Sequence, residues 1–466
     1  MENDAGGKLS SVRKLIISVR LINKNVKMSI FSKFFSQNPK SSDPEIQFGR
    51  FTDTNKSAEQ YKSWDYAIEN FDSEKYLVAY THLLDFMSNT EKSNVSYTLQ
   101  NGILTFKIHQ GSKIIEGEAN TKLFSACAKI VLAENPPLGL MRILLENNFD
   151  LKYARYAFDE SNCICLKFDT FVEDGSPHKI YDALKELATE ADKKDDVIIS
   201  KFDGLSPINR HHTRDVSTEE INSKYHYFKH TLTSVLNEIN NGTINAFLYP
   251  GAISYLILNF IYKIDFLIKP EGNILEQINL IHKKFFNDTI TSVHDKNKEM
   301  IRLIREFEKI SFDEFASEIY EVSSTFGTSV PEGHQRLVEI IDAQINDFDW
   351  YCDNNFPVIA QAICGYTIGY SLYSFALPDP TKALLKLYYS ITENQLFQAL
   401  HFKDVYVSSD QKFNKSKITS AIKEIIRDNE EKYGKISVDL SVLNFENTCT
   451  FCKSYLSLLK SVDYNE

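Results

Sequence analysis

Asn101-Gly102 stands between two runs rich in β-branched and aromatic residues, at positions 94–100 and 103–110. A two-residue turn between antiparallel strands needs positive φ at both positions, and asparagine followed by glycine adopts it at least cost. The pair therefore sets a β-hairpin at this place in the chain. Gln110-Gly111 supplies a second turn. The run 122–132 alternates Leu123, Ser125, Cys127 and Lys129 against Phe124, Ala126, Ala128 and Ile130, as a strand with two unlike faces does. Pro136-Pro137 then opens a short helix, Asn147-Asn148 ends it, and a further hairpin turns about residues 159–162. The helix that closes this part runs from Pro177 to about Lys194, with Ile180, Leu184, Leu187 and Ala191 on its apolar stripe. Before the strands, Trp64, Ala67, Ile68, Phe71, Tyr76, Ala79, Leu83 and Phe86 recur at helical spacing and predict a helical pair. This order of elements defines an α+β unit over residues 61–200.

Beyond residue 205 the pattern turns helical. Ser217-Thr-Glu-Glu220 and Ser311-Phe-Asp-Glu314 have the form of capping boxes. Helices are expected at about 218–240, 251–268, 273–293, 296–309, 312–325, 333–350, 357–375, 380–400, 415–432 and 445–461. No period repeats, so residues 205–466 read as an irregular all-α domain rather than a solenoid. A chain of 466 residues is too long for one ordinary core, which agrees with two folded parts. The longest apolar run, 252–268, contains Lys263 and Asp265, and charges in mid-span mark a buried core helix rather than a membrane span. Gly365 and Gly369 form a small-residue stripe that would let two helices approach closely.

Residues 1–60 read as a basic or polar, poorly ordered arm. Positions 11–27 are basic and amphipathic, a targeting segment or else translated upstream sequence, with a second natural start at Met28. Ile30, Phe31, Phe34 and Phe35 beside Lys33 could touch a membrane surface, though no transmembrane segment is expected.

The segment Leu144-Leu-Glu-Asn-Asn-Phe-Asp-Leu-Lys-Tyr-Ala-Arg-Tyr-Ala-Phe-Asp159, followed by an apolar strand and a charged helix, resembles the YbjN family over about residues 74–195. That family is similar in fold to class I type III secretion chaperones. Ala154 stands where the family pattern carries glycine. The resemblance implies a protein-binding role and no catalytic residues.

Net charge is −11, which disfavours a nucleic-acid partner, because such binding relies on Lys and Arg neutralising phosphates. Seven cysteines at irregular spacing do not form a secreted disulfide framework and point to a reducing cytoplasm. On a strand, Ile164, Leu166 and Phe168 would face the helices, and Cys163, Cys165 and Lys167 the opposite side, where a partner or a second copy would sit. Cys163 and Cys165 alone lack the further ligands of a zinc site. His226 and His230 are four apart, a spacing that can supply two metal ligands, but no Glu follows His226 as in H-E-x-x-H. His211-His212 reads as linker, and Cys449-Thr-Phe-Cys452 lacks the strand that precedes a thioredoxin-type motif. No P-loop, dinucleotide fingerprint or nucleophile elbow is present. The reading is a non-catalytic, cytoplasmic, chaperone-like protein without cofactor. It would bind a protein or peptide partner, or its own copy, through the sheet. The alternative is a metal-dependent enzyme with its site in the helical domain.

Overall fold

In the computed structural model, residues 43–54, 56–89, 93–202, 204–208, 214–408, 410 and 412–464 are described. Residues 1–42 and His211-His212 fall outside them, so the amphipathic segment, the Ile30–Phe35 aromatic group and the paired histidines carry no structural account.

Two helices, α1 (Ala58–Asp72) and α2 (Tyr76–Met87), lead into β1 (Val95–Gln100), β2 (Ile103–Gln110), β3 (Lys113–Ala119) and β4 (Leu123–Leu132). Helix α3 (Leu138–Asp150) precedes β5 (Arg155–Phe158) and β6 (Cys163–Phe171), and α4 (Pro177–Lys201) follows. Gln100 pairs with Ile103, and Asn101 and Gly102 take φ of 51° and 76°, the two-residue turn expected from their chemistry. The sheet is antiparallel throughout, in the order β1-β2-β3-β4-β6-β5, and a short β7 (Ser206–Pro207) pairs with the end of β4. Leu104, Phe106, Ile108, Ile164, Leu166 and Phe168 point into one core with Leu83 and Leu84 of α2 and Leu184 and Leu187 of α4. Each such aliphatic side chain, fully buried, contributes about 1.5–3 kcal/mol.

The rest of the fold is helical. A two-residue β8 (Arg214–Asp215) leads to α5 (Thr218–Asn241), α6 (Pro250–Leu267), α7 (Gly272–Phe286), α8 (Val293–Glu306) and α9 (Phe312–Ser317). After a short β9 (Tyr320–Glu321) come α10 (His334–Asp353), α11 (Pro357–Ser374), α12 (Asp379–Thr392), α13 (Asn394–Ala399), α14 (Lys415–Tyr433) and α15 (Thr448–Lys460). Helix α6 is the apolar run of residues 252–268, buried at the centre of a second core and packed along α11. The glycine stripe permits that packing: a Cβ at Gly365 would lie 2.1 Å from Asn259 Oδ1, and one at Gly369 2.7 Å from Tyr262 Cβ. Among the described residues, no helix is long and apolar enough to cross a membrane.

Two expectations are corrected. Residues 46–50 do not belong to the arm expected over residues 1–60. Ile46 and Phe48 pack on the helical core, Gly49 N–H donates to Phe266 O at 2.8 Å, and Arg50 pairs with Asp265 at 2.7 Å. The buried carboxylate of Asp265 needs a cation, and this polar stretch supplies it. The helix expected over 312–325 stops at Ser317. Tyr320-Glu321 pairs instead with Arg214-Asp215, and the following Ser/Thr-rich segment carries Phe326 into the core of the α+β unit. Gln110 Oε1 accepts from the N–H groups of Thr325 (3.1 Å) and Phe326 (2.9 Å), so the extended backbone is satisfied by tertiary partners.

Candidate functional site

The helices that build the first core lie on one face of the sheet, and the other face carries its unusual chemistry. Alternation along β6 sends Ile164, Leu166 and Phe168 inward and Cys163, Cys165 and Lys167 outward, as the sequence implies. Pairing with β4 adds residues that the separate strands did not connect. Cys127 stands opposite Lys167, and Lys129 opposite Cys165, so Cys127 and Cys165 are diagonal neighbours on adjacent strands. The Cys165 thiol donates to Ala157 O of β5 at 3.4 Å. Cys163 Sγ is 3.8 Å from Ser161 O. Lys129 Nζ binds Asp159 Oδ2 at 2.8 Å, and Asp159 Oδ1 accepts the N–H groups of Ser161 and Cys163 at 2.9 and 2.8 Å.

These contacts set the electrostatics. The adjoining Cys165 thiol holds the Cys127 thiol below the ordinary thiol range, against its partial burial, with Lys167 and Lys129 adding to the effect. The adjoining Cys127 thiol and then burial push Cys165 well up, and burial pushes Cys163 up. Desolvation works against ionised Asp159, but Lys129 and the two backbone donors keep its carboxyl below the usual carboxylate range.

The expectation that Cys163 and Cys165 belong to a docking surface is corrected. They are 6% and 0% exposed, and the Cys165 thiol is turned to the backbone carbonyl of Ala157 on β5. Of the three residues named from the sequence, only Lys167 is half-exposed; among the sheet cysteines, Cys127 is the one that is not fully buried. The alternation of residues 122–132 already placed Cys127 and Lys129 on one face, but only strand pairing joins that face to Cys165.

The strongest exposed apolar feature lies beside this sheet. Leu140 and Leu144 anchor α3, while Leu138, Leu145 and Phe149 form an outward stripe and are 86%, 69% and 92% exposed. Arg142 lies within the stripe and binds Glu146 at 2.8 Å. Asn148 Oδ1 accepts the Tyr156 N–H at 2.7 Å, tying α3 to β5, the edge strand on that side. The spacing of seven and four residues was present in the sequence, but which side of so short a helix meets the sheet was not.

In the helical part, His226 and His230 lie exposed on α5, whose buried face is made by Phe228, Leu232 and Leu236. Among the described residues no group of three or more His, Cys, Asp or Glu side chains is placed to hold a metal ion, the sheet thiols and these histidines included. Cys449 and Cys452 of α15 do not pair with each other. The Cys449 thiol meets Cys352 of α10, and Cys452 meets Cys364 of α11 and the Tyr388 hydroxyl at 3.3 Å. A cavity of about 330 Å³ reaches Cys452 and is lined also by Asn259, Lys263, Gln361, Tyr388 and Glu393. Lys263 Nζ and Glu393 Oε1 pair at 2.6 Å across it, and the Tyr227 hydroxyl donates to Glu393 Oε2 at 2.8 Å. Glu238 also lines the cavity and adds a second carboxylate.

Comparison with protein-family models, with curated proteins and with solved structures found no match.

Proposed function

We propose that this is a non-catalytic, chaperone-like binding protein of the cytosol, related to the YbjN family, whose α+β unit binds protein, beginning with a second copy of itself. The stripe of Leu138, Leu145 and Phe149 carries the reading. Large apolar side chains left this exposed along one helix face mark an interaction surface. The stripe is self-complementary about a two-fold axis. With two α3 helices antiparallel, Leu138 of one copy meets Phe149 of the other, and Arg142 lies opposite Leu145, one residue from Glu146 of the second copy. Net charge of −11 repels two copies at long range, so a close match of Arg142 and Glu146 matters. A stable dimer buries about 800 Å² on each partner, more than one helical stripe offers. The adjoining edge strand β5, with Phe158 36% exposed, extends the surface.

Light scattering of the full chain at micromolar concentration tests this. The wild type is expected at about twice its chain mass of 53.6 kDa, and the Leu145→Glu, Phe149→Glu double variant at the mass of one chain. Both positions are exposed, so the variant keeps the fold. A wild type that scatters as one chain ends the reading.

A further inference from the structure

We infer that Cys127 and Cys165 form a dithiol site that hydrogen peroxide oxidises to a cross-strand disulfide, Cys127 attacking and Cys165 resolving. Redox-active cysteines combine access, a cationic setting and a nearby second thiol. Cys127 has all three. It is half-buried on the outer sheet face, Lys167 stands opposite on β6, and the buried Cys165 is its diagonal neighbour on that strand.

The charged groups facing Cys127 come from β3, β4, β5, β6 and the β5–β6 turn. Glu116, opposite on β3, is occupied by Lys107 at 2.7 Å, and Asp159 in the β5–β6 turn by Lys129 of β4 at 2.8 Å. Arg155 of β5, opposite Lys167, pairs with Asp169. These three carboxylates are matched by cations, while Glu118 of β3 lies diagonal to Cys127, opposite Ser125; Lys167, directly opposite Cys127, is the cation placed to stabilise a thiolate there. Among the other thiols, Cys352 and Cys449 are half-buried neighbours too, but Lys453, the cation acting on Cys449, is already paired with Asp349. Cys163 is buried, Cys364 is fully enclosed, and burial with the Cys352 contact pushes Cys449 up to about 12. Cys452 contacts Cys364, Tyr388 and Lys263 but is 1% exposed.

The chemistry balances with peroxide as the oxidant. The Cys127 thiolate attacks one peroxide oxygen, the O–O bond breaks, and the departing hydroxide takes a proton from solvent to become water. The Cys165 sulfur then attacks the Cys127 sulfenic sulfur. The S–O bond breaks, the hydroxyl leaves as water with the Cys165 proton, and the S–S bond forms. Two thiols lose two electrons and two protons in all, and one peroxide becomes two waters. Diagonal cross-strand neighbours lie about 7–8 Å apart at Cα, beyond the roughly 4.4–6.8 Å usual for a disulfide, so the bond forms only with movement of the backbone. Bond formation therefore draws the strands slightly together, where β4 and β6 already shift register between Lys129 and Val131.

The test is peroxide titration of the full chain, quenched with an alkylating agent and followed by peptide mass mapping. A Cys127–Cys165 linked peptide is expected to appear before any other cysteine is oxidised, two hydrogens lighter than its parts and reversible by dithiothreitol. In Cys165→Ser, Cys127 should accumulate as a sulfenic acid that dimedone traps. In Lys167→Met, the pH profile of Cys127 alkylation should move to higher pH, which a purely structural lysine would not cause. If Cys127 stays alkylatable while Cys352 or Cys449 oxidises, or if dimedone labels nothing in Cys165→Ser, the assignment is overturned.

Discussion

Arg50 and Asp265 lie 215 positions apart, yet the guanidinium Nε sits 2.7 Å from the carboxylate, Nη1 3.2 Å from Glu271 and Nη2 2.6 Å from Pro270 O. Asp265 is 5% exposed at its side chain, inside the most apolar helix of the chain. Removing one partner of a buried pair leaves the other charge uncompensated, at about 3–5 kcal/mol. Arg50→Ala is therefore expected to lower the urea midpoint by that order. Arg50→Lys should fall between, because an ammonium cannot span three acceptors. His282 acts through pH. Burial, and then neighbouring Lys283, lower its pKa to about 4, while Nδ1 shares a hydrogen bond with the Tyr262 hydroxyl at 2.8 Å. An unfolded His titrates near 6.5, so between about pH 6.5 and 4 the unfolded chain holds a proton that the folded chain does not. Stability is complete above this window and declines as pH falls through it. His282→Gln should flatten that part of the curve in unfolding titrations; an unchanged slope would show that other groups carry it.

Among the elements, those with local chemistry of their own were legible. Asn101-Gly102 needs no tertiary help to prefer its turn. Ser311 closes both bonds of the capping box expected of it, whereas Ser217 accepts from the Glu220 N–H without the reciprocal bond. The segment after Ser317 was misread as helix because its apolar spacing is helical. Val322, Thr325 and the serines between have weak helix propensity, and tertiary hydrogen bonds decide against the helix. Phe326 fills the far core at 2% exposure. Phe326→Ala is expected to cost about 3–5 kcal/mol and to raise amide exchange in β2 and α4 as well as in its own segment. Faster exchange confined to residues 320–330 would show that the segment is only an accessory to the sheet.

At the scale of the molecule, the sheet core and the helical core are separate clusters within one compact body, residues 46–466. Two extended segments bridge them. In the first, Phe48 packs at a tilt against Phe397, ring centroids 4.9 Å apart, while Asp53 accepts from the Tyr181 hydroxyl of α4 at 2.8 Å. In the second, Thr325 bonds Asn94 at 2.8 Å. The two parts are thus expected to unfold together, and the substitutions at Arg50 and Phe326 bear on both. Pairing of copies through α3 would leave these bridges untouched, since α3 lies at the opposite edge of the sheet from β1 and β2, beside β5.

Local preference settled the α+β order, the first hairpin, the direction of the β6 side chains and the burial of residues 252–268, because each depends on neighbours within a few positions. The thiol pair, the ion pair of Arg50 and the course of residues 320–327 depend on groups brought together from distant positions. The case of β4 shows the difference. Period-two alternation assigned Cys127 a face, but whether that face meets Cys165 depends on which strand pairs with β4 and in what register. A slip of one residue would have turned every outward side chain inward. Backbone pairing across the sheet, not the strand's own residues, made Cys127 and Cys165 neighbours.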